Sequence, residues 1–255
     1  MKKILIAAAA LASVLPSLAS AQAAAPSPVT GNLTIVTDYR FRGISQSYKL
    51  PAVQGGIDYA HESGFYLGNW NSSVSGNQYP NGASLEMDFY GGYKFPLGAD
   101  LTLDVGALYY YYPGAFYNGF SGKPNYNNLE LYVGGVFGPF SAKFFYAISD
   151  FFGLNETTGG KSSSGSYYID LNYATEILPK LTLAAHLGYQ SVANYSNLTY
   201  TDYKIGVTYD YNSWLLGAAF IGTNAEKTPY TVFDSKGSSK FVAGNTVVFS
   251  VGKTF

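Results

Sequence analysis

No cysteine occurs in the chain of 255 residues, so a disulfide framework, an iron-sulfur cluster, a thiolate zinc site and a cysteine nucleophile are all excluded. Histidine is scarce, with 2 residues, which makes a histidine-rich metal centre untenable. Charge is scarce too: 12% of residues are Asp, Glu, Lys or Arg, about half the roughly 25% of soluble domains. The formal net charge of -1 offers no basic surface for nucleic acid. Beyond the N-terminus there is no run of the roughly 18 to 20 apolar residues that a transmembrane helix needs. Apolar residues nevertheless make up 47% of the chain, so they must be interleaved with polar ones.

The present residues explain the imbalance. Tyr (25), Phe (17) and Gly (29) dominate, and the aromatics favour strands. At the N-terminus, Lys2 and Lys3 precede the apolar run Ile4 to Leu15, and Ala19-Ser20-Ala21 supplies small residues for a signal peptidase. Residues 1–21 therefore read as a cleaved export signal and 22–30 as a flexible lead-in. From residue 31 to 255 the pattern has period two, the mark of strands with two unlike faces. Twelve segments are expected: Asn32–Arg42, Ala52–His61, Phe65–Val74, Ser84–Phe95, Leu101–Tyr112, Asn128–Phe137, Phe140–Asp150, Ser166–Thr175, Leu181–Gln190, Thr201–Tyr211, Trp214–Ile221 and Asn245–Phe255. Phe65–Val74 and Trp214–Ile221 are apolar on both faces, so their registers stay open.

The lengths of these segments match the roughly 9 to 11 residues of a tilted strand crossing a bilayer. Connections alternate between short turns and long loops, and the even strand number leaves both ends on the short-turn side. That is the layout of an all-β, antiparallel, up-and-down transmembrane barrel of about 12 strands. About eight strands already enclose a lumen that side chains fill. With twelve, the apolar face is expected to point outward into lipid, where closure satisfies the backbone. Aromatics cluster at both strand ends, as interfacial girdles do: Tyr93, Phe137, Phe140 and Trp214 near the short turns, Tyr39, Phe41, Tyr109, Tyr111, Tyr146, Tyr167, Tyr189 and Tyr203 near the long loops.

The inward parity then collects Asp38, Arg40, Arg42, Asp58, Glu86, Asp88, Asp104, Glu130, Lys143, Asp170, His186, Lys204 and Asp210. Lumenal charges set the selectivity of pores. Arg40 and Arg42 are expected to face Asp58, Glu86 and Asp88 across the lumen, as a charged constriction with a modest cation bias. The competing expectation is a paired network that braces and nearly plugs the barrel. The aromatic run Tyr109–Tyr112, Phe116, Tyr117 and Phe120 suits either a sugar-stacking mouth or a loop packing on itself. Nothing calls for a catalytic residue, metal or cofactor: of the histidines, His61 falls at a turn and His186 faces inward with no serine partner on its strand, which disfavours an outer-membrane hydrolase.

The stretch Asp38-Tyr39-Arg40-Phe41-Arg42-Gly43-Ile44-Ser45-Gln46, followed by Pro51-Ala52-Val53-Gln54-Gly55-Gly56 and Asp58-Tyr59-Ala60-His61-Glu62-Ser63-Gly64-Phe65-Tyr66, resembles the signature of the TorF family of outer-membrane porins over residues 31–74. The terminal Phe255 resembles the C-terminal strand read by the barrel-assembly machinery. The resemblance implies a bacterial outer-membrane barrel with both termini periplasmic, partnered by outer-membrane lipid and that machinery. Its function would be passive diffusion of small hydrophilic solutes or ions, without catalytic residues. The alternative is a closed structural or adhesive barrel acting through its long loops.

Overall fold

The computed structural model describes residues 27–79 and 83–255; the export signal and most of the lead-in expected from the sequence lie outside them. Twelve strands close into one antiparallel barrel: β1 (Val29–Val36), β4 (Ala52–Ala60), β5 (Phe65–Ser73), β6 (Leu85–Leu97), β7 (Leu101–Tyr111), β8 (Asn128–Phe137), β9 (Phe140–Ala147), β10 (Tyr167–Leu178), β11 (Leu181–Ser191), β12 (Tyr200–Tyr211), β13 (Trp214–Thr223) and β16 (Thr246–Thr254). Two small hairpins lie in long connections, β2 (Arg40–Phe41) with β3 (Ile44–Ser45), and β14 (Thr231–Phe233) with β15 (Ser239–Phe241). Every barrel strand pairs with its neighbours in sequence, and β1 pairs with β16 to close the ring. The seam ends on a reciprocal backbone pair between Gly31 and Phe255, N–H to carbonyl at 2.6 and 2.9 Å. A Cβ on Gly31 would lie 2.7 Å from the Phe255 ring, so the final aromatic needs the glycine opposite it.

Alternation decides which way each side chain faces. Ile35, Ile57, Val133, Ile205 and Phe249 point outward and are more than half exposed, while Tyr66, Tyr90, Leu108, Tyr110, Tyr132 and Tyr168 are buried inside. An apolar exterior wrapped around a polar and aromatic interior inverts the arrangement of a soluble barrel and suits hydrocarbon. The two open registers are resolved. In β5, Phe65 and Leu67 face out and Tyr66 and Trp70 face in; in β13, Trp214, Leu216 and Phe220 face out and Ile221 faces in.

Three expectations need correction. The barrel wall begins at Val29, inside the expected lead-in. Its first strand stops at Val36 rather than running to Arg42, and residues 37–51 fold into the lumen. Tyr39 is therefore buried inside, and Phe41 packs on Tyr110 and Phe152, instead of joining the outer girdle. The chain leaves the wall at the bend over residues 37–38, where Asp38 bonds to Arg40, Ser45 and Ser47, and Arg42 and Gly43, both at positive φ (46° and 78°), form the two-residue turn that folds β2 back on β3 inside the lumen. Period two reports an extended strand without reporting the sheet to which it belongs.

Candidate lumenal site

The interior is organised by that inward segment. Asp38 gathers it: Oδ2 accepts from Arg40 Nε at 2.7 Å, and Oδ1 accepts from the hydroxyls of Ser45 and Ser47 at 2.5 and 3.2 Å. Arg40 Nη1 donates to the carbonyls of Gly43, Val242 and Gly244, and Ser45 N–H donates to Val242. Val242 and Gly244 sit in the connection that carries β14 and β15. Lys240 of that connection donates to the Tyr48 carbonyl and lies over the Tyr48 ring. The last long loop thus clasps the first.

Beyond the clasp the hairpin tip crosses the lumen. Arg42 forks onto Glu130 of β8 with Nη2–Oε2 at 2.6 Å and Nη1–Oε1 at 3.0 Å, and Nη1 also donates to Gln190 of β11 at 2.7 Å. Its guanidinium stacks over Tyr168 of β10, 4.2 Å from the centroid. In the closed strand order β8 and β10 stand on the opposite side from β1, so the residue after β2 braces the far wall. Gly43 fits because a Cβ would come within 2.4 Å of Thr223 and 2.8 Å of Asp202.

Three further clusters line the wall. Near the long loops, Glu86 accepts from Tyr39 and Tyr112 hydroxyls at 2.7 and 3.0 Å, and Tyr79, stacked on Tyr112, donates to Gln46. Burial pushes the Tyr79 and Tyr112 phenols well above the usual tyrosine range, so both remain donors. On β10 to β12, His186 lies between two carboxylates, Nδ1 3.0 Å from Asp170 and Nε2 2.8 Å from Asp202, and Tyr168 donates to Asp202 at 2.9 Å. Gly188 leaves the space they occupy, since a Cβ there would meet the Tyr168 hydroxyl at 2.0 Å. Toward the short turns, Asp104 pairs with Lys143 at 2.7 Å and accepts from Tyr66 at 2.6 Å, Tyr66 in turn bonding Tyr132. Asp58 accepts from Tyr90 at 2.5 Å.

Asp58, Glu86, Asp88, Asp104, Glu130, Lys143, Asp170, His186 and Lys204 occupy inward wall positions, whereas Asp38, Arg40 and Arg42 stand on the inserted hairpin. The expected confrontation of both arginines with Asp58, Glu86 and Asp88 is replaced by other pairings: Arg42 holds Glu130, Arg40 holds Asp38, and Glu86 and Asp58 are held by tyrosines. The competing attraction is geometric, because the turn at 42–43 carries the guanidinium past the near wall. The sequence reading passed over Asp202, Tyr168, Gln190 and Tyr110 as partners. Asp202 shares the parity of Lys204, and Tyr110 and Tyr168 alternate with the outward Tyr109, Tyr111, Tyr167 and Ile169, which is the signal that points them inward. Among the described residues no cluster of His, Asp and Glu is arranged to hold a metal ion.

A closed twelve-strand barrel with an apolar outer wall and a charged interior places the chain in the structural class of the porin-like β-barrels. The chain belongs to Gcw_chp, a family of bacterial proteins of unknown function, whose pattern matches residues 20–255. Among solved structures it is similar to the KdgM porin, with 11% identity, a TM-score of 0.53, and 89% of this chain and 98% of that chain covered. The NanC porin is similar to the same degree, with 12% identity, a TM-score of 0.53, and 89% and 98% covered. KdgM has also been solved in complex with disordered oligogalacturonate, and that structure matches with a TM-score of 0.52, 11% identity, and 89% and 97% covered. No curated protein matches the chain.

Proposed function

We propose that the protein is a passive channel of the bacterial outer membrane for small hydrophilic solutes and ions, narrowed by the inserted segment 37–51 and biased toward cations. The observation that carries this reading is the Arg42 fork on Glu130, which sets a charged bar across a polar lumen. Both hairpin arginines are committed to carboxylates and carbonyls inside the barrel. Asp58, Glu86 and Asp88 have no lysine or arginine within ion-pair distance among the described residues. A polyanion such as the oligogalacturonate found with KdgM would meet few available positive groups here, whereas the partly exposed Asp58, held by Tyr90, offers a carboxylate to cations; Glu86 and Asp88 are themselves buried. The TorF resemblance of residues 31–74 and the terminal Phe255 support the same reading, with short turns and both termini in the periplasm, long loops outside, and insertion by the barrel-assembly machinery. No chemistry on a substrate is part of this role.

Planar bilayer recording tests it. The purified barrel is expected to conduct, with a reversal potential of cation-selective sign in a KCl gradient. An Arg40→Ala plus Arg42→Ala variant is expected to conduct more, because the bar is loosened. Silence in both proteins would overturn the channel reading in favour of a closed structural or adhesive barrel, a second reading that the cross-lumen packing of Tyr39, Arg42 and Tyr110 supports.

A further inference from the structure

The inward side chains are divided unevenly around the ring. From β5 to β10 they are bulky: Tyr66, Tyr90, Leu108, Tyr110, Tyr132 and Tyr168 are all buried, and the tyrosines lie over the glycines of neighbouring strands. A Cβ on Gly68 would meet the Tyr90 ring at 2.3 Å, and one on Gly106 the Tyr132 hydroxyl at 2.4 Å. On the other side the same parity brings Ala184 of β11 opposite Gly206 of β12, and Gly206 opposite Ala219 of β13. There a glycine is covered by no more than a methyl or a hydroxyl: Gly206 by Ala219, Gly217 by Ser250. The free cross-section of the lumen is therefore off-centre, against β11, β12, β13 and β16. Gly43, beside the hairpin tip, comes against Thr223 and Asp202 at the long-loop ends of β13 and β12, so this space lies on the short-turn side of the hairpin.

One rung of that wall is built of hydroxyls. Thr182 of β11 stands opposite Thr208 of β12, Thr208 opposite Gly217 of β13, and Gly217 opposite Ser250 of β16. Gly217 lets the outer two approach, since a Cβ there would lie 2.3 Å from Ser250 Oγ and 3.9 Å from Thr208 Oγ1. Thr182 and Thr208 are more than nine-tenths buried, at 8% and 7% exposure. Neither they nor Ser250 make a side-chain hydrogen bond among the described residues, and none of the three oxygens is sealed from solvent. Inward polar groups on the bulky side are instead spent on each other, as Tyr66 on Asp104 and Tyr90 on Asp58. A buried hydroxyl without a protein partner calls for one from the lumen. Each hydroxyl both donates and accepts, which is what an alcohol group requires, whereas a cation takes only lone pairs and an anion only hydrogens. Along this face the nearest charges are His186 and Lys204, two rungs toward the hairpin, and Asp210, which accepts from the Ser213 N–H at the short turn.

We propose that solutes pass along the β11–β12–β13–β16 face instead of the barrel axis, and that Thr182, Thr208 and Ser250 form a subsite for the hydroxyl groups of uncharged sugars and polyols. The inference rests on the channel reading and names the solute class that its narrow part receives. Because the chain has no cysteine, single cysteines report the path without background. In a planar bilayer, Thr208→Cys and Ser250→Cys are expected to lose single-channel current when treated with a water-soluble trimethylammonium methanethiosulfonate, and Val207→Cys, which faces lipid, is expected to be unaffected. In vesicles, Thr182→Val plus Thr208→Val plus Ser250→Ala, which removes the hydroxyls at nearly constant volume, should lower the uptake of xylose several-fold and leave the potassium conductance unchanged. A wild-type barrel silent to ions would overturn the channel reading and this path with it. A conducting barrel whose current ignores the label at 208 and 250, or a hydroxyl-free variant that takes up xylose at the parent rate, would overturn the path or the subsite alone; should the triple variant misfold, Thr208→Val with the same two readouts decides.

Discussion

At the scale of single residues, the Arg42–Glu130 fork is a buried ion pair whose partners depend on one another. Both side chains are almost completely buried, so removing one partner strands the other in a low-dielectric interior. Glu130→Ala is expected to destabilise the barrel by about 3 kcal/mol, read as a lower urea midpoint for unfolding from vesicles. Arg42→Ala in the same background should cost less than the two single changes summed, because the orphaned charge is gone. Gly188→Ala is a second sensitive change: the added methyl overlaps the Tyr168 hydroxyl and Asp202 carboxylate, and should lower the same midpoint by opening the His186 cluster. The run Tyr109–Tyr112 shows how far the sequence carries at this scale. Alternation correctly sends Tyr109 and Tyr111 outward, but the roles of Tyr110 and Tyr112 as partners of Glu130 and Glu86 depend on strands and loops distant in sequence.

At the scale of elements, the inserted β2–β3 hairpin is the distinctive part. It is held at its base by Asp38 and by the β14–β15 connection, and at its tip by β8 and β11. Wall strands need none of these contacts to pair, since the twelve-strand ladder closes without it. Replacing Asp38–Lys49 by a short Gly-Ser linker is therefore expected to leave a folded, heat-modifiable barrel whose single-channel conductance exceeds that of the parent. Loss of folding would show that the hairpin is part of the barrel's structural core. The element was half legible. Its extended character was visible in the alternation of Asp38, Arg40 and Arg42 against Tyr39 and Phe41, but its departure from the wall at residues 37–38 and its reversal through the positive φ angles of Arg42 and Gly43 are not properties that alternation reports.

At the scale of the whole molecule, the outer surface must match lipid. Ile205→Arg, outward and more than half exposed near the middle of β12, is expected to cost about 2–4 kcal/mol in vesicles, and the change should shrink in a variant placed nearer the strand ends. Ring closure supplies another whole-molecule requirement. The seam between β1 and β16 is closed by their ladder, by the Gly31–Phe255 backbone pair at one end and by the Thr37 N–H to Phe249 carbonyl bond at the other, so pairing of β16 with β1 satisfies the last open edge of the ring.

The sequence by itself determined that this is a twelve-strand barrel with an apolar exterior, because side-chain direction in a strand follows parity and because short and long connections alternate along the chain. Parity also separated charged from apolar positions along the wall strands, although it left Asp202 out of the inward set. The tertiary structure alone decided which charges meet, that the first loop enters the lumen instead of extending the wall, and that the bulky inward side chains collect on one side of the ring. Parity is a local property of the backbone, whereas pairing across a lumen depends on closure, which brings β8, β10 and β11 to a hairpin that leaves β1 on the other side of the ring.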